Sequence, residues 1–154
     1  MMRRLALALL LAAPVGAQTL LKVEGSSNPL ALDAAALWAM PRATVSQTFD
    51  GKPIRCEGVL LTDVLAAAGA PQGEKLRGAA HRTVVVAIGS DGYRVAFTLA
   101  ELDRAFGKSK VLVADRCEGA PIAGAGPLRI VVEGDTRGGR ALRNLVTLRL
   151  VELP

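Results

Sequence analysis

Three arginines stand at three-residue spacing near the end of the chain, within the run 135–144. Arg137, Arg140 and Arg143 lie beside two adjacent glycines, which let a backbone approach a ligand closely. A guanidinium group donates paired hydrogen bonds that match the oxygens of a phosphate or a carboxylate. The run therefore indicates an anion-binding site, and the alternative interpretation is a solvated arginine-rich loop that precedes the last strand.

The second group that could do chemistry is the pair of cysteines, Cys56 and Cys117, which lie far apart in the sequence. In an oxidising compartment such a pair favours a disulfide. Two unpaired thiols are one alternative, and a two-thiolate metal site is another. The metal site would need further soft ligands, and His81 is the single histidine of the chain.

The usual catalytic patterns are missing from the sequence. His81 lies in a stretch of small residues, no Gly-x-Ser-x-Gly motif accompanies it, and it is predicted to lie on the surface. No phosphate-binding loop occurs, because the glycines at 124–126 lead into Pro127 and a strand rather than into a helix. The carboxylates are scattered singly, so no glycosidase pair is assigned. We therefore name no catalytic residue and no metal ligand.

The start of the chain, over 1–17, has the features of a signal peptide. Arg3 and Arg4 precede an apolar run at 5–13, and small residues follow before Gln18. The apolar run is about half the roughly 20 residues that span a bilayer. We predict a signal peptide over 1–17 and one mature domain over 18–154 without a membrane span, located in the periplasm or secreted. An uncleaved anchor is the alternative.

The charge of the predicted mature domain is mildly positive. Two of the 19 basic residues and none of the 14 acidic ones belong to the leader, which leaves 17 basic against 14 acidic residues and a net charge of +3. With only 3% aromatic residues, the chain also lacks the stacking surfaces of single-strand binders. These values argue against nucleic acid as a partner.

Local patterns predict about eight short strands and three short helices. The strands mostly follow one another through tight turns such as Asp50–Gly51, which favours a β-rich α+β domain with a mixed, barrel-like sheet over a doubly wound parallel sheet. The apolar run 83–88 shows no alternation and predicts a central strand that is covered on both faces.

Two helices have clear starting signals. Asp33 can cap a helix over 34–40, on which Trp38 is predicted to be a core anchor because its neighbours are apolar. Thr98 and Glu101 form a capping box that predicts a helix through Phe106.

Six stretches, in this order and spacing, resemble one protein family. They are 49–51, 57–65 with 68–69, 91–102, 111–115 with 119–121, 126–129 and 140–145. The chain resembles small exported proteins of the oxidoreductase molybdopterin-binding domain family, which has the sulfite-oxidase-like fold. The resemblance covers residues 23–152 and implies a β-rich α+β domain. It also implies molybdopterin as a possible cofactor, with Arg129, Arg137, Arg140 and Arg143 as contacts to the pterin phosphate.

One departure from the family limits the function that the resemblance implies. Catalytic members supply a cysteine thiolate to the metal, and its place here falls at 43–47, where no cysteine occurs. Only Arg42 lies near the family's early arginine-rich pocket. We therefore expect a pterin-binding, anion-binding or accessory domain without catalysis, whose partner is a small anionic ligand or a periplasmic protein. The alternatives are a molybdenum oxidoreductase that uses Cys56 or Cys117 as an atypical ligand, and an interaction module whose cleft is filled by side chains.

Overall fold

The computed structural model of the protein describes residues 16–154. The predicted signal peptide therefore lies, except for its last two residues, outside the described residues. Within them the chain forms ten strands in two five-stranded sheets, with three short α-helices. The predicted α+β class is confirmed, and the strand count is ten rather than eight. None of the helices in this part of the chain has the length and apolarity that a membrane crossing requires.

The first sheet has the strand order β2-β1-β10-β5-β6. The pairing of β1 with β10 is parallel, and the other pairings are antiparallel. Its strands are β1 (Leu21–Glu24), β2 (Leu30–Leu32), β5 (Thr83–Gly89), β6 (Arg94–Thr98) and β10 (Leu145–Glu152).

The second sheet is antiparallel and follows the order β3-β4-β7, with β9 and β8 beside successive parts of β7. The turn Asp50–Gly51 has positive φ at both residues and joins β3 to β4, as its sequence predicts. The strands are β3 (Arg42–Phe49), β4 (Lys52–Leu60), β7 (Val111–Cys117), β8 (Ala120–Pro121) and β9 (Arg129–Val132).

Gln47 closes the gap between β3 and β9. Its side chain is 2% exposed. The Oε1 atom accepts a hydrogen bond from the Val132 N–H at 2.9 Å, and Nε2 donates to the Arg137 carbonyl at 3.1 Å. Next to it, the Thr48 N–H donates to the Asp135 carbonyl at 3.0 Å. These bonds satisfy backbone groups that would otherwise be unpaired in the interior, and they join β3 to β9 and to the loop that follows it.

The three α-helices are α1 (Ala34–Trp38), α2 (Leu61–Ala67) and α3 (Leu99–Leu102). Asp33 caps α1 by accepting a hydrogen bond from the Ala36 N–H at 2.8 Å, as predicted. Thr98 and Glu101 form the predicted capping box of α3. This helix ends before Phe106 because the Asp103 carboxylate accepts a hydrogen bond from the Ala105 N–H at 2.9 Å and turns the chain.

The apolar side chains form two cores. The larger core lies between the sheets, and the smaller one lies on the opposite face of the second sheet. Because β7 passes between the two cores, its first four residues are all buried. The prediction that 83–88 is covered on both faces is wrong, since Val85 and Ala87 are buried while Val84, Val86 and Ile88 are only partly covered. The smaller core contains Val45, Cys56, Leu112, Ala114 and Val131.

Cys56 and Cys117 are joined by a disulfide with an S–S distance of 2.03 Å. They lie directly opposite each other on the antiparallel strands β4 and β7. Cys56 is completely buried in the smaller core, and Cys117 packs against that core. The disulfide therefore ties together the middle of the second sheet.

Candidate functional site

The four arginines of the sequence prediction occupy two elements. Arg129 begins β9, whereas Arg137, Arg140 and Arg143 lie on or beside the 3₁₀ turn Gly138–Arg140. The Arg137 carbonyl accepts the hydrogen bond from Gln47, which fixes this loop against the second sheet. The structure separates the side chains into environments of opposite electrostatic character.

Arg140 is held by carboxylates. Its Nε and Nη2 atoms donate to the two oxygens of Asp135 at 3.0 and 2.7 Å, and Nη1 lies 3.6 Å from Oε1 of Glu101. The guanidinium carbon also lies 5.7 Å from the centre of the Phe97 ring. The hydrogen bond to Asp135 raises the pKa of Arg140 above its ordinary value. The charge of Arg140 is therefore already compensated within the protein.

Arg129 has the opposite surroundings. Its guanidinium carbon lies 4.6 Å from the centre of the Phe49 ring, and Nη2 donates a long hydrogen bond of 3.4 Å to the Ala141 carbonyl. Its Nε is buried and has no hydrogen-bond partner among residues 16–154. Burial lowers the pKa of Arg129 below its ordinary value, and the nearby charge of Arg143 lowers it further. Among the described residues no carboxylate lies within 4 Å of Arg129, so its charge has no ion-pair partner there.

Arg143 and Arg137 are exposed, and neither has a carboxylate within 4 Å in the described part of the chain. We use the name Arg129 cluster for Arg129, Arg143 and Phe49. The cluster presents two guanidinium groups, an unused N–H donor and no carboxylate. Such an arrangement can hold an oxyanion, because the anion would pair with the guanidinium groups and offset the repulsion between the two cations.

The molybdenum site implied by the resemblance can be tested against the donor atoms. Molybdenum in this family is held by a thiolate, and here both sulfurs are used in the Cys56–Cys117 disulfide. Between residues 16 and 154, His, Cys, Asp and Glu side chains form no group of three or more that could hold a metal ion. The residues present do not fit a thiolate-held metal. The free guanidinium groups of the Arg129 cluster do fit the phosphate part of such a cofactor.

A second surface feature lies around Trp38, and it corrects the prediction that this residue is a core anchor. Trp38 is 64% exposed, because the five-residue helix α1 buries Leu37 instead. Trp38 lines a groove of about 330 Å³ together with Arg42, Asp115, Arg116 and Pro121. Sequence reasoning missed this groove, since its walls come from distant segments, as the 73-residue separation of Arg42 and Asp115 shows.

His81 lies on the surface, as predicted, with the edge of its ring facing the ring of Phe106 and 5.3 Å between the ring centres. No hydrogen bond or ion pair in the described region joins it to a serine, cysteine or carboxylate side chain. Over residues 16–154, therefore, His81 forms no nucleophile–base pair.

Comparison with known proteins supports the fold. No family model matches the chain, and neither does any curated protein. Among solved structures, the sulfane dehydrogenase SoxCD from Paracoccus pantotrophus is similar, with a TM-score of 0.66 and 17% sequence identity. The match covers 86% of this chain and 38% of the other chain, so the present chain spans well under half of that protein's length. The likeness is one of fold, and that fold is of the sulfite-oxidase type.

Proposed function

We propose that this chain is an exported domain that binds a small phosphate-bearing ligand at the Arg129 cluster and holds no molybdenum. The observation that carries the proposal is the uncompensated Arg129, whose Nε is buried without a partner in the described chain and lies beside a second cation. A partly buried guanidinium group without a neighbouring carboxylate lacks the negative charge that would stabilise it. A bound oxyanion removes that deficit.

The ligand that best fits both the cluster and the fold is a pterin phosphate or pyrophosphate. The sulfite-oxidase-type fold supports a pterin, and the guanidinium groups of Arg129 and Arg143 suit phosphate oxygens. Arg137 lies on the same loop with its side chain exposed, and it is a further candidate contact. Arg140 contributes indirectly in this account, since its ion pairs with Asp135 and Glu101 hold the loop in place.

Isothermal titration calorimetry tests the proposal with two probes, inorganic pyrophosphate and a pterin that carries a phosphate monoester. Loss of a charged hydrogen bond through Arg129→Gln or Arg143→Gln should weaken binding about 10- to 100-fold. The matched control is Arg149→Gln, which removes the same charge from an ion pair with Glu24 on the first sheet. The control should change the affinity less than about twofold at moderate salt.

The absence of binding by the wild-type chain to both probes would contradict this function. Equal weakening by the control variant would also contradict it, because binding would then depend on overall charge. Stoichiometric molybdenum in protein recovered natively would favour the oxidoreductase alternative instead.

One observation favours the interaction-module alternative. The Phe49 ring packs against the guanidinium of Arg129 and so covers part of the surface that a flat pterin would use. If the chain is an interaction module, the wild-type chain binds neither probe, and Phe49→Ala does not create binding. In the ligand-binding case the wild-type chain already binds pyrophosphate, and Phe49→Ala changes mainly the preference between pyrophosphate and the pterin phosphate.

A further inference from the structure

The groove beside Trp38 is separate from the Arg129 cluster and is unused by the proposed function. Trp38 is the only tryptophan of the chain. The groove is also lined by Arg42 at the start of β3 and by Asp115, Arg116 and Pro121 on β7 and β8. The volume of about 330 Å³ falls within the range of sites that take small molecules.

The walls of this groove are held in place. Arg42 donates two hydrogen bonds to the carboxylate of Asp115, at 2.7 and 2.6 Å. Arg116 donates through Nη2 to the Gly119 carbonyl at 2.6 Å. The residue after Arg116 is joined to β4 by the disulfide. A ligand would therefore find the polar groups already ordered, which reduces the entropic cost of binding.

The residues that line the groove include two arginines and one carboxylate. Arg42 and Asp115 form an ion pair, whereas Arg116 has no carboxylate within 4 Å in the part of the chain that the structure describes. Its register partner on β4, Glu57, is not among the lining residues. The exposed indole of Trp38 has no ring or cation stacked on it among these residues. An aromatic ring packs favourably against an indole, and a carboxylate pairs with a guanidinium group.

We propose that this groove binds a planar aromatic molecule that carries one negative charge, such as an aromatic carboxylate. The ring would lie against Trp38 and Pro121, and the carboxylate would face Arg116. The Arg42–Asp115 ion pair would be neutral overall, so Arg116 would determine the charge of the ligand that the groove prefers. The proposal does not depend on the function assigned to the Arg129 cluster.

Nuclear magnetic resonance offers a direct readout, because the full chain gives a single tryptophan indole N–H signal. The probes are 2-naphthoate, cyclohexanecarboxylate as the non-planar anion, and 2-naphthylmethylammonium as the planar cation. We expect 2-naphthoate to shift the indole signal with a dissociation constant of roughly 0.2–1 mM, the range for a ligand of this size. The other two probes should bind at least about fivefold more weakly.

Two variants assign the contacts. Arg116→Gln should weaken 2-naphthoate about tenfold, whereas Arg55→Gln, the same charge change on the neighbouring strand β4 outside the groove, should leave it unchanged. Trp38→Leu, at an exposed position whose replacement leaves the core intact, should abolish the heat of binding in calorimetry.

Three results would overturn the proposal. The first is an indole signal that 2-naphthoate does not move at several times the expected dissociation constant. The second is equal binding of the planar cation and the planar anion. The third is an indole signal that shifts on dilution of the protein alone, which would assign the groove to contact between copies of the chain. Pyrophosphate, as the probe for the Arg129 cluster, should leave the indole signal in place.

Discussion

Arg140 and Arg129 are close in sequence and have the same side chain, yet the charges next to their guanidinium groups have opposite signs. Arg140 has Asp135 and Glu101 beside it, and its pKa is raised. Arg129 has the Phe49 ring and the charge of Arg143 beside it, and its pKa is lowered. An arginine is therefore available to a ligand only where the fold has brought no carboxylate to it.

The difference arises from the elements that meet at each place. Glu101 divides its carboxylate between two tasks, since Oε2 accepts from the Thr98 N–H in the capping box and Oε1 faces Arg140. The start of α3 thus supplies a negative charge to one end of the arginine loop. Arg129 belongs to β9 in the second sheet, where the side chain next to it is the aromatic ring of Phe49.

The largest expected effect concerns the scaffold that both regions share. Replacement of both cysteines, Cys56→Ala with Cys117→Ala, should lower the free energy of unfolding by roughly 4 kcal/mol, because the disulfide joins positions with a sequence separation of 61. Denaturant unfolding measures this loss. The surroundings of Arg129 and Arg140 should stay unchanged, because the sulfurs lie in the smaller core. A folded variant that no longer binds pyrophosphate would show that the disulfide and the Arg129 cluster are coupled.

The next largest effect should come from Gln47, which holds the arginine loop against β3 and β9. Gln47→Leu provides an apolar side chain of similar size but leaves the Val132 N–H and the Arg137 carbonyl without partners. We expect a loss of about 2–4 kcal/mol in the free energy of unfolding, together with weaker pyrophosphate binding. A loss below about 0.5 kcal/mol in denaturant unfolding would contradict the role given to Gln47.

Removal of the compensated arginine should destabilise the chain slightly. Arg140→Gln breaks the ion pairs with Asp135 and Glu101, which are partly exposed, so the free energy of unfolding should fall by at most about 1 kcal/mol at low salt. The loss should shrink as salt is added. Thermal unfolding at two salt concentrations checks this, and a loss independent of salt would mean that the ion pairs are not its cause.

Removal of a charge from the other region should have the opposite sign. Arg143→Gln relieves the repulsion on Arg129, so the chain should gain a few tenths of a kcal/mol in stability at low salt, about the size of an exposed charge contact. The gain should disappear at high salt. The same thermal measurement applies, and destabilisation similar to that of Arg140→Gln would remove the distinction between the two regions.

Much of the local structure could be predicted because its causes are close in sequence. The Asp50–Gly51 turn, the Asp33 cap and the Thr98–Glu101 box each depend on residues within a few positions of one another. The α+β class followed from the succession of strands through such turns. These features need no knowledge of what packs against them.

The errors have a common physical origin in distant packing. Trp38 is exposed and Leu37 is buried because of what lies beneath a helix of five residues, which its own sequence does not specify. Likewise, β7 rather than β5 is covered on both faces, because its alternate residues belong to the larger and to the smaller core. Gln47, a polar residue in an alternating strand, gives no signal that it bridges β3 to residues 85 and 90 positions away.

The candidate site, like the fold, could be predicted from the sequence only in part. The arginine run at 137–143 is visible in the sequence, and so is the possibility of an anion site. Its division into two environments is not visible, since Glu101 and Phe49 both come from elements far earlier in the chain than the arginines they contact. The main partner of Arg140, Asp135, lies within the same run, whereas the surroundings of Arg129 depend on the distant Phe49.

The most direct test of the central claim is the arginine Nε–H spectrum of the full chain, recorded by nuclear magnetic resonance as pyrophosphate is added. We expect the Nε–H signals of Arg129 and Arg143 to shift together and saturate, while that of Arg140, already bound to Asp135, stays in place. A titration in which Arg140 shifts and Arg129 does not would contradict the claim that the uncompensated arginine is the one that binds the anion.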